Sequence, residues 1–190
     1  MPKIVNHELY RQELLGKCFD LFAEKGYSSI TMREIARGLG VSTGTLYHYF
    51  PSKKSIFEQM VEESVKEDIL AATATIEGRK TLIERFQALA EYLEKYEEKI
   101  IKQTYIWMDY SQHQDSKDMQ ENTVWKRIDE RYQQAVAHVF GITDPIIGDF
   151  ISCVIDGIIQ QKIWGNERIS FKKQFDIMAK MLTIYFREKL

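Results

Sequence analysis

The chain has 190 residues, of which 44% are hydrophobic and 28% are charged, and its formal net charge is −2. This composition is that of a globular protein and excludes an intrinsically disordered chain. The longest apolar stretches are interrupted within a few residues, whereas a membrane span needs about 20 mostly apolar residues, so the sequence predicts no transmembrane helix. The first ten residues lack the apolar core of a signal peptide, and we therefore expect a cytoplasmic protein.

Charge is distributed unevenly along the chain. Residues 1–54 carry eight Lys and Arg against five Asp and Glu, while residues 55–190 carry eighteen against twenty-three. A basic segment beside an acidic remainder indicates a polyanionic partner for the first part only. Cys18 and Cys153 lie in apolar helical patterns without the spacing of metal ligands, so we expect two buried free thiols, no metal site and no cofactor.

Apolar residues recur with a period near 3.6 along almost the whole chain, and the period-two alternation of strands is absent. The sequence therefore predicts an all-α protein. The first helix ends at Gly26, and Thr31 with Glu34 forms a capping box that begins the second. Gly40 makes the next turn, and Ser42 caps a short third helix. We expect this and the later helices over about 43–50, 52–75, 80–95, 97–112, 118–140, 144–164 and 169–189.

Two short helices joined by a turn at Gly40 have the layout of a helix-turn-helix. On the third helix, Leu46 and Phe50 lie on the side that can pack against a small core. The opposite face carries hydrogen-bonding or aromatic groups and one glycine that permits close approach: Thr43, Gly44, Tyr47 and His48. Such a face is suited to a DNA groove.

Groove chemistry divides the polar residues of this unit into two roles. Phosphate contacts position a protein on the duplex, and contacts to base edges read the sequence. From residue chemistry alone we predict phosphate contacts by Thr31, Thr45, Tyr49 and Lys53. Base edges would be read by Arg33, Thr43, Tyr47 and His48.

A longer series of residues in the same segment forms a recognisable signature. It comprises Phe22-Ala23-Glu24-Lys25-Gly26-Tyr27, Thr31, Ile35-Ala36, Gly40-Val41-Ser42, Gly44-Thr45-Leu46-Tyr47, Tyr49-Phe50 and Ser52-Lys53. Over about residues 10–60 the chain thereby resembles the TetR family of transcriptional regulators. The resemblance implies an all-helical homodimer that binds a near-palindromic double-stranded DNA operator, usually as a repressor, and releases it when a small-molecule effector binds its C-terminal domain.

The resemblance also assigns roles by position. Arg33, Thr43, Gly44 and His48 fall on base-contact positions of the family. Phosphate-contact positions are occupied by Thr31, Thr45, Tyr47, Tyr49 and Lys53, which moves Tyr47 from the base readers to the phosphate contacts. One departure is Gly38 inside the second helix, where a better helix former would be favoured by about 1 kcal/mol.

We expect a helix-turn-helix DNA-binding domain over residues 1–52 and a larger helical ligand-binding and dimerisation domain over residues 53–190. Residues 80–140 are rich in Tyr and Trp, which combine apolar area with a polar tip and suit a mostly apolar ligand. The predicted ligand contacts are Phe86, Tyr105, Met108, Trp125, Phe150 and Val154.

The last two helices are too apolar for free surfaces. Asp156-Gly157 looks like the pair that many TetR proteins place in the dimer helix, and a dimer supplies the two-fold symmetry of a palindromic site. The predicted interface residues are Asp156, Gly157, Phe175, Met178 and Leu182.

An enzyme is not expected, because no nucleophile elbow, phosphate loop, paired histidine ligands or nucleotide fingerprint occurs. The alternative function is a DNA-binding adaptor with a filled core that responds to a protein partner and takes no small-molecule ligand. The sequence leaves open the operator, the regulated genes, the ligand, and whether the ligand releases or recruits DNA.

Overall fold

The structure, a computed structural model, describes residues 7–188. These residues form ten α-helices and no strand, so the prediction of an all-α protein is confirmed. The helices are α1 (His7–Lys25), α2 (Met32–Leu39), α3 (Thr43–Tyr49), α4 (Lys53–Ile76), α5 (Leu82–Lys95), α6 (Glu97–Gln112), α7 (Ser116–Glu121), α8 (Thr123–Phe140), α9 (Pro145–Ile163) and α10 (Phe171–Glu188).

Helix α2 begins and ends at the predicted residues. The Glu34 N–H donates to Thr31 Oγ1 at 3.3 Å, and the Thr31 N–H donates to Glu34 Oε2 at 3.0 Å, which completes the capping box. At the other end Gly40 adopts φ 70°, and its N–H donates to the Arg37 carbonyl at 3.2 Å. Glycine adopts this left-handed conformation without steric cost, so these local signals determine both ends of α2.

The single helix predicted over residues 118–140 is wrong, because α7 ends at Glu121 and α8 begins at Thr123. Asn122 between them has an extended backbone. Its Oδ1 accepts the Val124 N–H at 2.9 Å, and its Nδ2 donates to Glu58 Oε1 at 2.5 Å. A side chain that bonds to nearby backbone in this way competes with the helix and starts a new one.

Contacts group the chain into two compact units. Unit 1 comprises the residues up to Val65 together with Lys102–Lys126, and unit 2 comprises Lys66–Ile101 together with the residues from Arg127 onward. The predicted domain division after residue 52 stays a prediction. Unit 1 nevertheless shows that α1–α3 pack with parts of α4 and α6.

Aromatic side chains form the core of unit 1. Phe57 and Tyr110 stack with ring centroids 4.3 Å apart, and Tyr27 meets Tyr110 edge-on at 4.8 Å. The Tyr110 hydroxyl donates to Glu58 Oε1 at 2.9 Å, and burial raises the pKa of Tyr110. Through Tyr110, α6 therefore supports the helix-turn-helix.

Close packing of α1 and α2 accounts for Gly38. A Cβ added at this residue would lie 2.6 Å from Leu21 Cδ2, so a larger residue would displace the leucine. Glycine at this position therefore lowers the helix propensity of α2 but allows α1 and α2 to pack closely.

The core of unit 2 lies between α5, α8 and α10. Phe86 is fully buried and stacks on Phe140 with centroids 4.3 Å apart, and it meets Phe175 edge-on at 6.1 Å. Cys18 is buried as expected, but Cys153 is exposed on α9, which corrects the prediction of two buried thiols. Among residues 7–188, none of the helices is both long enough and apolar enough to span a bilayer.

Candidate nucleic-acid interface

Side chains of the turn itself fix the start of α3. Ser42 Oγ accepts the Thr45 N–H at 2.9 Å and forms a 2.8 Å hydrogen bond with the Thr45 hydroxyl. The Val41 N–H donates to the Ala36 carbonyl at 3.0 Å and ties the turn to the end of α2. These bonds satisfy backbone donors that a short helix would otherwise leave without partners, so α3 is held firmly in place on α2.

Helix α3 has one buried and one exposed face, as its sequence predicts. Leu46 and Phe50 have no exposed surface. Tyr47 is 52% exposed, and His48 is also exposed. A Cβ at Gly44 would meet only the Ser42 hydroxyl, at 3.7 Å. The outward face is therefore open to a groove or a phosphate backbone.

The hydroxyl of Thr31 already has a structural role at the start of α2. It donates to Glu34 Oε2 at 2.8 Å. The bonds from Thr31, together with Lys25, lower the pKa of Glu34 to about 2, so this carboxylate is ionised at neutral pH. A phosphate contact by the Thr31 hydroxyl would have to compete with this capping box, and its predicted role remains untested.

Lys53 is the first residue of α4, and its ammonium group binds backbone carbonyls of the turn after α1. Its Nζ donates to the carbonyl of Tyr27 at 2.6 Å and to that of Ser28 at 3.2 Å. The same nitrogen lies 4.6 Å from the centroid of the Tyr27 ring. Burial lowers the pKa of Lys53, an effect that the charge of Asp109 opposes. Two of its three N–H groups are thus engaged, and one is left for a phosphate.

Asp109 of α6 contacts the same turn from the other side. The backbone N–H and the hydroxyl of Ser28 donate to Asp109 Oδ2 at 3.0 and 3.3 Å. A Cβ at Gly26, which has φ 77°, would lie 2.9 Å from this oxygen. Gly26 therefore provides both the helix end and the space that the carboxylate occupies.

One side chain of this surface, that of His7, was not predicted from the sequence. Its Nδ1 lies 2.9 Å from the Tyr49 hydroxyl in a hydrogen bond. Its ring centroid is 6.1 Å from that of His48 and 6.0 Å from that of Tyr49. The partners are more than forty positions away in the sequence, so no local pattern could have revealed the contact.

All nine residues predicted to contact DNA lie in unit 1. Their assignment to bases or phosphates remains a prediction. Five are exposed, namely Thr31, Arg33, Gly44, Tyr47 and His48, and four are half-buried, namely Thr43, Thr45, Tyr49 and Lys53.

The helix-turn-helix segment matches a known protein family. The profile of the bacterial regulatory proteins of the tetR family matches residues 14–60. The chain is 26% identical to the HTH-type transcriptional repressor AcnR of Corynebacterium diphtheriae, and the match covers 94% of this chain and 95% of AcnR. Residues 14–60 are thus similar to the DNA-binding segment of the TetR family. The resemblance noted in the sequence is thereby confirmed.

Two further comparisons differ in extent. The negative transcriptional regulator IcaR of the biofilm operon icaADBC in Staphylococcus aureus is 38% identical over 52 residues, which are 27% of this chain and 28% of IcaR. The match thus spans little more than a quarter of that relative. The crystal structure of the transcriptional regulator FadR from Bacillus subtilis, in complex with stearoyl-CoA, shares the fold at a TM-score of 0.61 and 18% identity, covering 90% of this chain and 96% of FadR.

The six residues predicted to contact a ligand are divided between the units. Phe86, Phe150 and Val154 belong to unit 2, and Tyr105, Met108 and Trp125 belong to unit 1. Phe86 is part of the packed core, whereas Tyr105 is 52% exposed and Met108 is 38% exposed. Their joint role in one pocket stays a prediction.

Trp125 differs from the other five in carrying a buried polar atom. Its Nε1 makes no hydrogen bond of acceptable geometry within residues 7–188, although it contributes to the pKa of the neighbouring Tyr110 hydroxyl. The Trp125 ring lies 5.7 Å from that of Trp107 and 6.0 Å from that of Tyr110. A buried indole N–H usually has an acceptor, so Trp125 retains an unused donor.

Unit 2 also contains features that the sequence did not reveal. A cleft of about 230 Å³ is lined by residues that include Ile76, Arg79, Arg85 and His138, and none of the six predicted ligand contacts lies in it. Elsewhere in the unit, Asp68 Oδ1 accepts from Lys99 Nζ at 2.6 Å and from the Tyr92 hydroxyl at 3.3 Å. Asp68 and Lys99 are partly exposed, so this polar group lies at the edge of the apolar core of unit 2.

Three of the predicted dimer residues point into their own protomer. Phe175, Met178 and Leu182 are 0%, 2% and 4% exposed, because this stripe of α10 packs in the core of unit 2. They are therefore corrected to core residues. The outward stripe of α10 is instead formed by Ile177, Met181, Ile184 and Tyr185.

The other two predicted interface residues, on α9, are exposed. Asp156 as a whole residue is exposed on the protomer. Its carboxylate group is partly buried, and this burial raises the pKa of Asp156. A Cβ at Gly157 would meet no atom within 4 Å. Both side-chain positions are open to a partner, so their place in an interface stays a prediction.

Proposed function

We propose that this protein is a transcriptional regulator that binds duplex DNA through the outward face of α3. The observation that carries the proposal is the exposure of Tyr47 and His48 beside the open surface at Gly44, on a helix that is anchored on its other side by the fully buried Leu46. A helix anchored on one side and open on the other can enter a major groove. The similarity of residues 14–60 to the tetR family of bacterial regulatory proteins supports the same role.

The proposed regulator is a homodimer whose interface is formed by α9 and α10. Large apolar side chains remain exposed on both helices: Ile146 is 74% exposed and Trp164 69%, while Ile177, Met181 and Ile184 are each 56% exposed. A group of exposed apolar residues of this size is typical of an interface. An isologous dimer places two copies of α3 in a two-fold relation, which matches a near-palindromic operator.

We further propose that the protein is a repressor that a mostly apolar effector releases from DNA. The similarity to AcnR, a transcriptional repressor, supports the first part. The stearoyl-CoA bound to FadR supports an effector with a long apolar segment, and the unused N–H of Trp125 offers such a molecule one polar contact.

One observation favours the alternative, an adaptor that responds to a protein partner. Phe86 is closely packed against other aromatic rings, so the predicted site has no free space at this residue. Differential scanning fluorimetry with fatty acids and acyl-CoA separates the two candidates. A rise in melting temperature that Trp125→Phe reduces supports the effector, whereas no shift with any of these compounds favours the adaptor.

The test of DNA binding is selection of bound fragments from genomic DNA of the source, with purified full-length protein and no added ligand. We expect a near-palindromic motif to be enriched. An Arg33→Ala and His48→Ala double variant should lose this motif and keep weak binding to any duplex. If the wild-type protein enriches no motif and binds no duplex even at low salt, the proposal fails.

A further inference from the structure

A side chain outside the helix-turn-helix approaches the recognition helix. His7 is the first residue of α1, and its Nδ1 forms the 2.9 Å hydrogen bond with the Tyr49 hydroxyl. The Tyr49 ring is also in edge contact with His48 at 5.1 Å and with Tyr10 at 5.5 Å. Tyr49 is thus enclosed by two imidazoles and a phenol at the edge of the exposed face.

The direction of the hydrogen bond between His7 and Tyr49 depends on one proton. When Nδ1 has no proton, it accepts the Tyr49 O–H, and this hydroxyl then has no donor left for another group. When Nδ1 is protonated, it donates to the Tyr49 oxygen, and the O–H is free to donate elsewhere. A phosphate oxygen only accepts hydrogen bonds, so it can use Tyr49 as a donor in the second state.

We propose that His7 belongs to the DNA interface as the residue that positions the Tyr49 hydroxyl toward a phosphate, and that a proton on His7 strengthens DNA binding. The inference rests on the proposed function, because it requires α3 to bind DNA. The neutral ring reaches the second state only as its Nδ1–H tautomer, whereas the cationic ring always carries this proton and adds a positive charge on the surface that faces the polyanion. Affinity for DNA therefore rises as the pH falls from 8 to 6.

The other charged groups near His7 do not account for such a change. On α1, Glu8 is paired with Arg11 at 2.8 Å, and this bond lowers the pKa of Glu8, so the pair stays charged over this range. Arg11 also donates to Gln59 of α4, which does not titrate. On α3, the imidazole of His48 lies in the same ring cluster and needs its own variant.

The test measures fluorescence anisotropy of a labelled duplex carrying the selected motif, at fixed ionic strength, between pH 6 and pH 8. We expect the wild-type protein to bind about tenfold more tightly at pH 6, the gain of one charge-assisted contact. His7→Asn places an amide near the position of Nδ1 but takes up no proton, so its affinity should be nearly independent of pH. Tyr49→Phe should weaken binding more at pH 6 than at pH 8. His138→Ala, a histidine of unit 2, is the matched control and should keep the wild-type profile.

The inference is overturned if His7→Asn keeps the full pH dependence, or if His48→Asn alone abolishes it. Circular-dichroism melting curves of each variant at both pH values separate this result from a loss of folding. If the wild-type protein selects a motif but binds it equally at pH 6 and pH 8, the inference fails and the proposed function stands. If it binds no duplex at either pH, the proposed function fails as well.

Discussion

Two adjacent residues of α10 distinguish the proposed dimer surface from the protomer core. Ile177 is 56% exposed in the protomer, whereas Met178 is 2% exposed. Replacing each with alanine removes a similar apolar group from one helix at neighbouring positions. The two substitutions should therefore affect different equilibria, namely association for Ile177→Ala and unfolding for Met178→Ala.

The magnitudes follow from exposure. Full burial of an isoleucine side chain contributes about 1.5–3 kcal/mol of favourable free energy. Because Ile177 is 56% exposed in the protomer, roughly half of this free energy would be gained when a dimer forms. A two-fold interface contains the residue twice, so Ile177→Ala should weaken dimerisation by about 2 kcal/mol and raise the dimer Kd about 30-fold. Met178→Ala removes a fully packed side chain and should lower the free energy of unfolding by about 2–5 kcal/mol.

Sedimentation velocity over a dilution series measures the dimer Kd, and urea unfolding at one fixed protein concentration measures stability. The concentration must be fixed because dissociation contributes to the apparent stability of a dimer. An unchanged Kd for Ile177→Ala, together with a raised Kd for Met178→Ala at full folding, would show that the outward stripe is not the interface and would refute the reasoning.

Three further predictions concern unit 1. His48→Ala should change the motif enriched from genomic fragments, whereas Lys53→Ala should lower affinity for all duplexes, reduce the salt slope by about 0.9 and lower the melting temperature because two carbonyls lose their donor. Tyr110→Phe should lower the free energy of unfolding in urea by about 1 kcal/mol, because the bond to Glu58 is lost while the ring stays packed. The pKa of Glu34 is about 2, below its ordinary value of 4.5. The ionised Glu34 carboxylate therefore stabilises the folded protein fully above about pH 4.5, and this stabilisation is lost as the pH falls through 2. Glu34→Gln should flatten this part of a plot of melting temperature against pH.

Local signals predicted the helix-turn-helix well, because its boundaries depend on residues a few positions apart. The capping box of Thr31 and Glu34 and the left-handed turn at Gly40 need only the backbone of their own helix. The burial of Leu46 follows from helical period alone. A sequence carries all of this information within a short window.

The outward stripe of α10 could not be predicted in the same way. Apolar residues lie on more than one face of this helix, so the period indicates a helix without saying which face meets the protomer core. The sequence-based prediction placed Phe175 and Met178 at the interface and left out Ile177. It thereby assigned to the interface the face of α10 that packs in the protomer core. The packing partner α5 decides between them, and its position is a property of the tertiary structure.

The turn after α1 is hydrogen-bonded to two longer helices, α4 and α6. Lys53 at the start of α4 binds two carbonyls of this turn, and Asp109 near the end of α6 binds an N–H and a hydroxyl of Ser28. The four hydrogen bonds therefore hold Ser28 between a cation from one helix and an anion from the other. A displacement of α6 relative to α4 cannot leave all four bonds intact, because both helices bind the same short segment. A change in the separation of the two helices would therefore act on the Ser28 turn, which leads directly into α2.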